Sequence, residues 1–354
     1  MSPKTKNPLR TGHVGVSRYG SYRRQTLKQS GLFEIAALHD WNSGHLAEAA
    51  AEDDAIACHT FEDLLSIPRL DVITISSGAK YHAAQIIAAL RAGYPVFVEK
   101  PLCCTLEEVR EIVAVQQETG LPIGLGHVDH STNAISRTIK NLIEHGELGT
   151  IAAVEQTEAH SGGFLIQPGD WRGDANSNPG GMLFQCGVHA FHELMYHFGP
   201  ITDVTSTMRY DVHKTDTADV AVCQVRFSSG LVSTLSAYHV TPYRHFLAIF
   251  GTKAALYRDD RSYFEGTKLL RQDVGSGGHE PQIIQSLEGT SDEIGNLRAF
   301  YRAVTTGQMQ YPSLFDGARA LTAVFAAAES AKTGQRASVE NFAFPSNCIE
   351  PILS

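Results

Sequence analysis

The segment Gly15-Val16-Ser17-Arg18-Tyr19-Gly20 has the spacing G-x-S-x-x-G and stands between a short apolar stretch and a helical one. A turn of this kind presents backbone N–H groups at a helix N-terminus, where unpaired donors and the helix dipole favour a pyrophosphate. Ser17 stands where a second glycine usually lets backbone approach phosphate. Asp40 follows Gly20 by 20 residues, at the end of a second apolar stretch. A carboxylate there accepts hydrogen bonds from adenosine ribose hydroxyls. The next residues, Trp41-Asn42-Ser43, offer no Arg or Lys for a 2′-phosphate, which predicts NAD rather than NADP. Lys100, in Glu99-Lys100-Pro101, closes a further strand pattern. Ligands collect at the carboxyl ends of such strands, and an ammonium there can hydrogen-bond a substrate oxygen and stabilise charge developing on it. Ser76 and Glu99 end strands at the same edge, so they join Gly15, Ser17, Arg18, Tyr19, Gly20, Asp40 and Lys100 as expected cofactor contacts.

The elements that must position these groups follow from periodicity and breakers. Strand patterns at Thr11–Val16, Glu34–His39, Asp71–Ser76, Pro95–Glu99 and Pro122–Gly126 alternate with helical ones at Tyr22–Ser30, Gly44–Glu52, Tyr81–Ala92 and Leu106–Thr119. Strands separated by helices imply right-handed crossovers and a parallel sheet, so this half is expected to be a doubly wound α/β domain over residues 1–126. Beyond it the rhythm changes to long alternating strands at Ile151–His160, Val204–Val212, Val220–Phe227, Leu231–Val240, Phe246–Gly251 and Ala254–Arg258. Ser228-Ser229-Gly230 and Gly251-Thr252-Lys253 are short enough for hairpins, which predicts a mostly antiparallel open sheet in an α/β domain over residues 127–354. Helices are expected at Ile135–His145, Gly187–Phe198, Asp292–Thr305 and Asp316–Lys332.

Glu99-Lys-Pro-Leu102 followed by Thr105-Leu-Glu-Glu108 resembles the hallmark of the Gfo/Idh/MocA oxidoreductases. Gly146-Glu-Leu-Gly149, Gly180-Gly181 with Gly187-Val-His189, and Ala328-Glu-Ser-Ala331 with Gly334-Gln-Arg336 are similar to that family's pattern in the same order. The resemblance spans essentially the whole chain. It implies a Rossmann domain, a second domain whose open sheet forms a homodimer or homotetramer interface, and hydride transfer between NAD(P) and a hydroxyl carbon of a sugar, sugar derivative or cyclitol. The family's lysine falls on Lys100 and its active-site histidine on His189, the expected catalytic pair. Chemistry wants such a histidine, because oxidising an alcohol requires a base near neutrality. The family's aspartate four residues earlier is Gln185 here, an amide that can hydrogen-bond a hydroxyl but carries no charge.

His127, His160, Trp171, Arg172, Gln185 and His192 join Lys100 and His189 as expected substrate contacts, with Asp170 beside them. Asp170-Trp171-Arg172 sits in a Gly/Asn/Pro-rich loop, Gly169 to Gly181, able to cover a polyol. His82 opens the helix after the third parallel strand and joins the cofactor set; His130 is a further pocket candidate.

A formal charge of −9 argues against nucleic acid and anionic membrane partners. No apolar run approaches a bilayer span, and the basic start leads into no apolar leader core. Six cysteines without C-x-x-C fit reduced thiols in a cytoplasm. His192 and His197 almost spell a zincin motif, but at i and i+5 they point about 140° apart on a helix, so no metal is expected. Two further readings keep the fold: an NAD-dependent glycosidase or lyase using transient oxidation, and a non-catalytic dinucleotide-sensing regulator, which the presence of both Lys100 and His189 disfavours.

Overall fold

The computed structural model describes residues 8–167, 169–213, 215–261, 266–275, 280–287, 294–308, 310–340 and 342. The basic tail before residue 8, the helix start expected at Asp292, and Cys348 lie outside the described residues.

The first half runs β1 (Leu9–Val14), α1 (Tyr19–Ser30), β2 (Phe33–His39), α2 (Ser43–Asp53), β3 (Ile56–Cys58), α3 (Phe61–Leu65), β4 (Val72–Ile75), α4 (Ala79–Arg91), β5 (Val96–Val98), α5 (Leu106–Thr119) and β6 (Ile123–Leu125). Its six strands form a parallel sheet in the order β3-β2-β1-β4-β5-β6, the doubly wound arrangement. Strand order reverses between β1 and β4, so a crevice opens there at the carboxyl ends. The sheet is buried on both faces: Val72, Ile73, Ile75, Val96, Phe97 and Val98 are all fully buried. The Thr105-Leu-Glu-Glu108 motif proves to be a capping box, with Thr105 and Glu108 satisfying each other's backbone N–H groups at the start of α5. β3 and α3 escaped periodicity because three and five residues are too few to show a period.

The second half runs α6 (Ala134–Glu144), β7 (Ile151–Ala159), α7 (Val188–Phe198), β8 (Ile201–Arg209), β9 (Val220–Phe227), β10 (Val232–Tyr238), β11 (Arg244–Gly251), β12 (Ala254–Asp260), β13 (Thr267–Asp273), β14 (Gln282–Leu287), α8 (Gly295–Thr306), α9 (Leu314–Thr333) and β15 (Ala337–Ser338). The nine-stranded sheet has the order β14-β13-β12-β11-β7-β10-β9-β8-β15. Both expected hairpins form, β9 to β10 and β11 to β12. The sheet is mostly antiparallel but mixed, because β10 returns to lie parallel to β7. β13 and β14 carry partly exposed charged and polar residues at one edge, which blurs their alternation in the sequence.

The halves share a core. The Phe300 ring of α8 stacks on Phe33 at 6.2 Å and lies 5.7 Å from Phe97, so a helix from late in the chain covers the parallel sheet. Where α9 crosses β6, a Cβ on Gly317 would fall 1.9 Å from Leu125 Cδ2. This close approach brings α7, which packs on α9, up to the carboxyl end of the parallel sheet. Among the described residues, no helix is long and apolar enough to cross a membrane.

Candidate active site

The loop after β1 is built for an anion. Gly15 has φ +84°, and a Cβ there would meet the Ser76 carbonyl carbon at 2.7 Å; one on Gly20 would lie 1.9 Å from the Gly15 oxygen. Both positions therefore require glycine. Arg18 turns the chain into α1 at φ 51°, and neither a side-chain cap nor an acidic first-turn residue satisfies the helix N-terminus. A helix start with no side-chain cap and no carboxylate in its first turn fits a pyrophosphate. Asp40 Oδ2 accepts from Val16 N–H at 2.9 Å and Oδ1 from Asn42 N–H at 2.9 Å, fixing the carboxylate while leaving each oxygen further lone pairs. Ser76 Oγ has no partner among the described residues. Arg18 and Tyr19 are exposed beside the loop.

Sequence reasoning missed the support beneath this loop. His13 is fully buried, with Nε2 3.0 Å from the Gly15 carbonyl and Nδ1 2.8 Å from Thr74 Oγ1. Since the carbonyl only accepts, Nε2 carries the proton and Nδ1 accepts from threonine. Burial brings its pKa down to about 3. The only sequence signal was a histidine inside an apolar strand.

At the end of β5, Glu99 turns inward rather than toward the crevice. Its Oε1 accepts from Arg23 Nε at 2.5 Å, and the two side chains are 5% and 2% exposed. The expected cofactor contact is thus a buried ion pair with α1. His82 is also drawn away: its Nδ1 and Nε2 each lie 2.9 Å from a carbonyl, of Pro101 and Ser77 respectively, and the neutral ring donates to one of them. It straps the start of α4 to the segment after Lys100.

Lys100 reaches across the halves, and its Nζ donates to the Gln185 backbone carbonyl at 2.8 Å. Gln185 lies in a π-helical turn, Leu183–Gly187, that leads directly into α7. Such turns widen the helix and often occur where side chains must be re-aimed. The Gln185 side-chain amide is buried with Nε2 unpartnered, so its backbone, not its amide, meets the lysine. His189 sits on the first turn of α7, partly exposed, with Nδ1 buried and unpartnered. Burial, then the Lys100 charge, then neighbouring histidines hold its pKa well below the usual 6.5. The amine and the imidazole, 89 positions apart in sequence, are near enough to interact electrostatically.

His127 and His192, expected against substrate, lie behind His189 instead, 1% and 2% exposed. The His127 ring is 5.1 Å from His189 and 4.5 Å from His192, which stacks on Tyr311 at 5.2 Å. His160 is half-buried on the other side, its Nδ1 accepting from Gly162 N–H at 2.9 Å and its Nε2 lying 3.2 Å from Cys186 Sγ. Cys186, next to Gln185, was not singled out from sequence. Trp171 and Arg172 form a pair, the guanidinium 4.5 Å from the indole centroid and 3.5 Å from Asp170. Both remain partly exposed, and burial pushes the nearby Cys186 thiol up against the opposing charges of Lys100 and Arg172.

Two family models match the chain. One, an oxidoreductase family with an NAD-binding Rossmann fold, covers residues 9–127; the other, the GFO/IDH/MocA C-terminal domain, covers residues 136–257. The chain is 28% identical over 287 residues to the 1,5-anhydro-D-fructose reductase of Ensifer adhaerens, spanning 79% of this chain and 83% of the relative. It is 24% identical over 331 residues to the myo-inositol 2-dehydrogenase of Thermotoga maritima, spanning 91% and 96%. Its fold is similar to that of an inositol dehydrogenase homolog complexed with NAD+ from Azotobacter vinelandii, with a TM-score of 0.83, 19% identity and coverage of 95% and 98%.

Proposed function

Because the chain belongs to the GFO/IDH/MocA oxidoreductase family and carries its NAD-binding Rossmann domain, we propose that it moves a hydride between NAD and a hydroxyl-bearing carbon of a sugar, sugar derivative or cyclitol. The observation that carries this reading is the Lys100 ammonium held 2.8 Å from the Gln185 carbonyl, at the turn that leads into His189. It sets an amine and a base at the carboxyl edge of the parallel sheet, beside the loop that fits a pyrophosphate.

When bound, NAD supplies the hydride acceptor. The chain's own groups do the rest. Backbone N–H groups at the start of α1 hold the pyrophosphate and Asp40 the adenosine ribose. Lys100 keeps a proton at Nζ and donates it in a hydrogen bond to the carbinol oxygen, orienting the reacting C–H and stabilising charge as the hydroxyl proton leaves. His189, neutral at pH 7 because it is buried beside a cation, accepts that proton. Trp171 offers a flat face to sugar C–H bonds and Arg172 a fork for hydroxyls, with His160 and Gln185 lining the other wall. The exposed face of β9 and β10, which includes Val222 and Val232, is where we place a dimer or tetramer contact, and we place the protein in the cytoplasm.

The test is incubation of the protein and NAD with sugars, sugar acids, inositols and glycosides, watching for reduced nicotinamide and, separately, cleaved product. His189→Ala should lower kcat by about 10²–10⁴ with NAD affinity nearly unchanged. Equal loss of both would make His189 structural, and cleavage without net reduction would replace the dehydrogenase reading.

A further inference from the structure

Behind His189 the protein buries far more imidazole than packing needs. The loop after β6 contributes His127 and His130, and α7 contributes His192 and His197. Successive rings lie 5.1 Å (His189 to His127), 4.5 Å (His127 to His192) and 5.2 Å (His192 to His130) apart, centroid to centroid. His127 Nδ1, His189 Nδ1, both nitrogens of His192 and Tyr311 Oη are buried without a protein partner among the described residues. A buried polar atom left unpaired is strongly disfavoured, so water must supply these hydrogen bonds. A water hydrogen-bonded at about 2.8 Å to each of two ring nitrogens can bridge nitrogens up to roughly 5.6 Å apart along the edges of the rings. Among the described residues no group of three or more His, Cys, Asp or Glu side chains is placed to hold a metal ion.

The stack ends at a carboxylate. Tyr311, stacked on His192, has its phenol raised by burial and then by the charges of Asp316 and Asp129. Asp129 Oδ2 is buried and unpartnered, while Oδ1 accepts from the N–H and hydroxyl of the exposed Ser131 at 3.0 and 2.5 Å. One carboxylate oxygen is thus tied to an exposed serine while the other is buried without a protein partner among the described residues.

We propose that His127, His192 and Tyr311, with bridging water, form a proton relay that carries the substrate hydroxyl proton from His189 to Asp129 and so to solvent. The inference rests on the role given to His189 above. Oxidation of the carbinol sends the hydride to NAD and leaves one proton; His189 takes it, releases a proton from Nδ1, and each neutral ring accepts at one nitrogen and releases from the other. No electrons move along the path. Burial keeps the rings neutral, as this requires: His127, His189 and His192 are all held well below the usual histidine range. The charged groups facing the stack are Lys100 from the substrate side, the Glu193–Arg258 ion pair from the sheet side, which holds the Glu193 carboxyl low, and Asp316 of α9 beside Tyr311. His130 donates to or accepts from Ser136 Oγ at 2.9 Å and His197 packs beyond it, a side branch from the path.

The first measurement needs no substrate. In the NAD complex labelled with 15N-histidine, the ring nitrogens of His127 and His192 should show averaged tautomers and fast exchange with water. His13, locked between Thr74 and the Gly15 carbonyl, is the internal control with one fixed tautomer. Two variants then carry the test into turnover with the polyol identified by the substrate panel. His192→Phe, which keeps a ring against Tyr311, and Asp129→Asn should each lower kcat about tenfold or more, raise the solvent deuterium isotope effect, and regain rate with added imidazole buffer, at unchanged NAD affinity. Fixed tautomers at His127 and His192 would overturn the relay. So would a wild-type isotope effect in both variants, or a loss that buffer does not rescue. If His189→Ala itself turns over normally, the base assignment fails and the relay with it, whereas loss of turnover in His189→Ala with wild-type behaviour in His192→Phe and Asp129→Asn overturns the relay alone.

Discussion

Arg23→Met should destabilise this protein by leaving a buried carboxylate without its counter-charge. The guanidinium is 2% exposed and meets Glu99 at 2.5 Å, with the Phe97 ring 5.0 Å away. Methionine keeps the apolar stem but leaves Glu99, 5% exposed, as a buried carboxylate with no counter-charge. Breaking such a pair from one side costs about 3–5 kcal/mol, whereas replacing both partners with apolar residues of similar volume is often nearly neutral. The assay is a double-mutant cycle of Arg23→Met, Glu99→Met and the double variant by urea denaturation at pH 7. The double variant should be more stable than Arg23→Met, with a coupling of about 2 kcal/mol or more. Because Glu99 directly precedes Lys100, the single variants should also lower kcat more than the double one does. Losses that simply add would refute the reasoning, since they would mean that neither charge senses the other.

Gly20→Ala should raise the dissociation constant for NAD at least about tenfold, roughly 1.4 kcal/mol, because the added carbon must push the Gly15 carbonyl out of the loop; calorimetric titration with NAD checks it. Acid should unfold the protein early. His13, His197 and His239 are held down to about 3 and His130 to about 4, mainly by burial, so between pH 6.5 and those values only the unfolded chain takes up their protons. Stability is complete above pH 6.5 and falls as pH drops, by about 2 kcal/mol per such histidine at pH 5, which denaturation midpoints at pH 7 and 5 will show. By the same sign, a depressed His189 keeps the base neutral in mild acid, so the acid limb of kcat/KM should fall below pH 6.5; a limb above that value would oppose this.

The sequence by itself determined the architecture and the outline of the nucleotide loop, because both are written locally. Alternating strands and helices dictate the parallel sheet, and Gly20 and Asp40 are set by backbone demands within one turn or one crossover, while Gly15 answers both to its own positive φ and to the distant Ser76 backbone. The capping box at Thr105 and Glu108 and the two hairpins are local in the same sense. What the tertiary structure alone decided is where polar side chains point once the halves close on each other. Glu99 lay at the expected edge yet pairs inward with Arg23, and His82 began the expected helix yet sits between the Pro101 and Ser77 carbonyls. His127 and His192 were read as pocket residues and instead form a buried stack behind His189, because α7 meets the loop after β6 only when α9 closes against β6 through Gly317. Periodicity reports which face of an element is apolar; the partner that a buried polar group finds depends on contacts distant in sequence, and no local pattern encodes them.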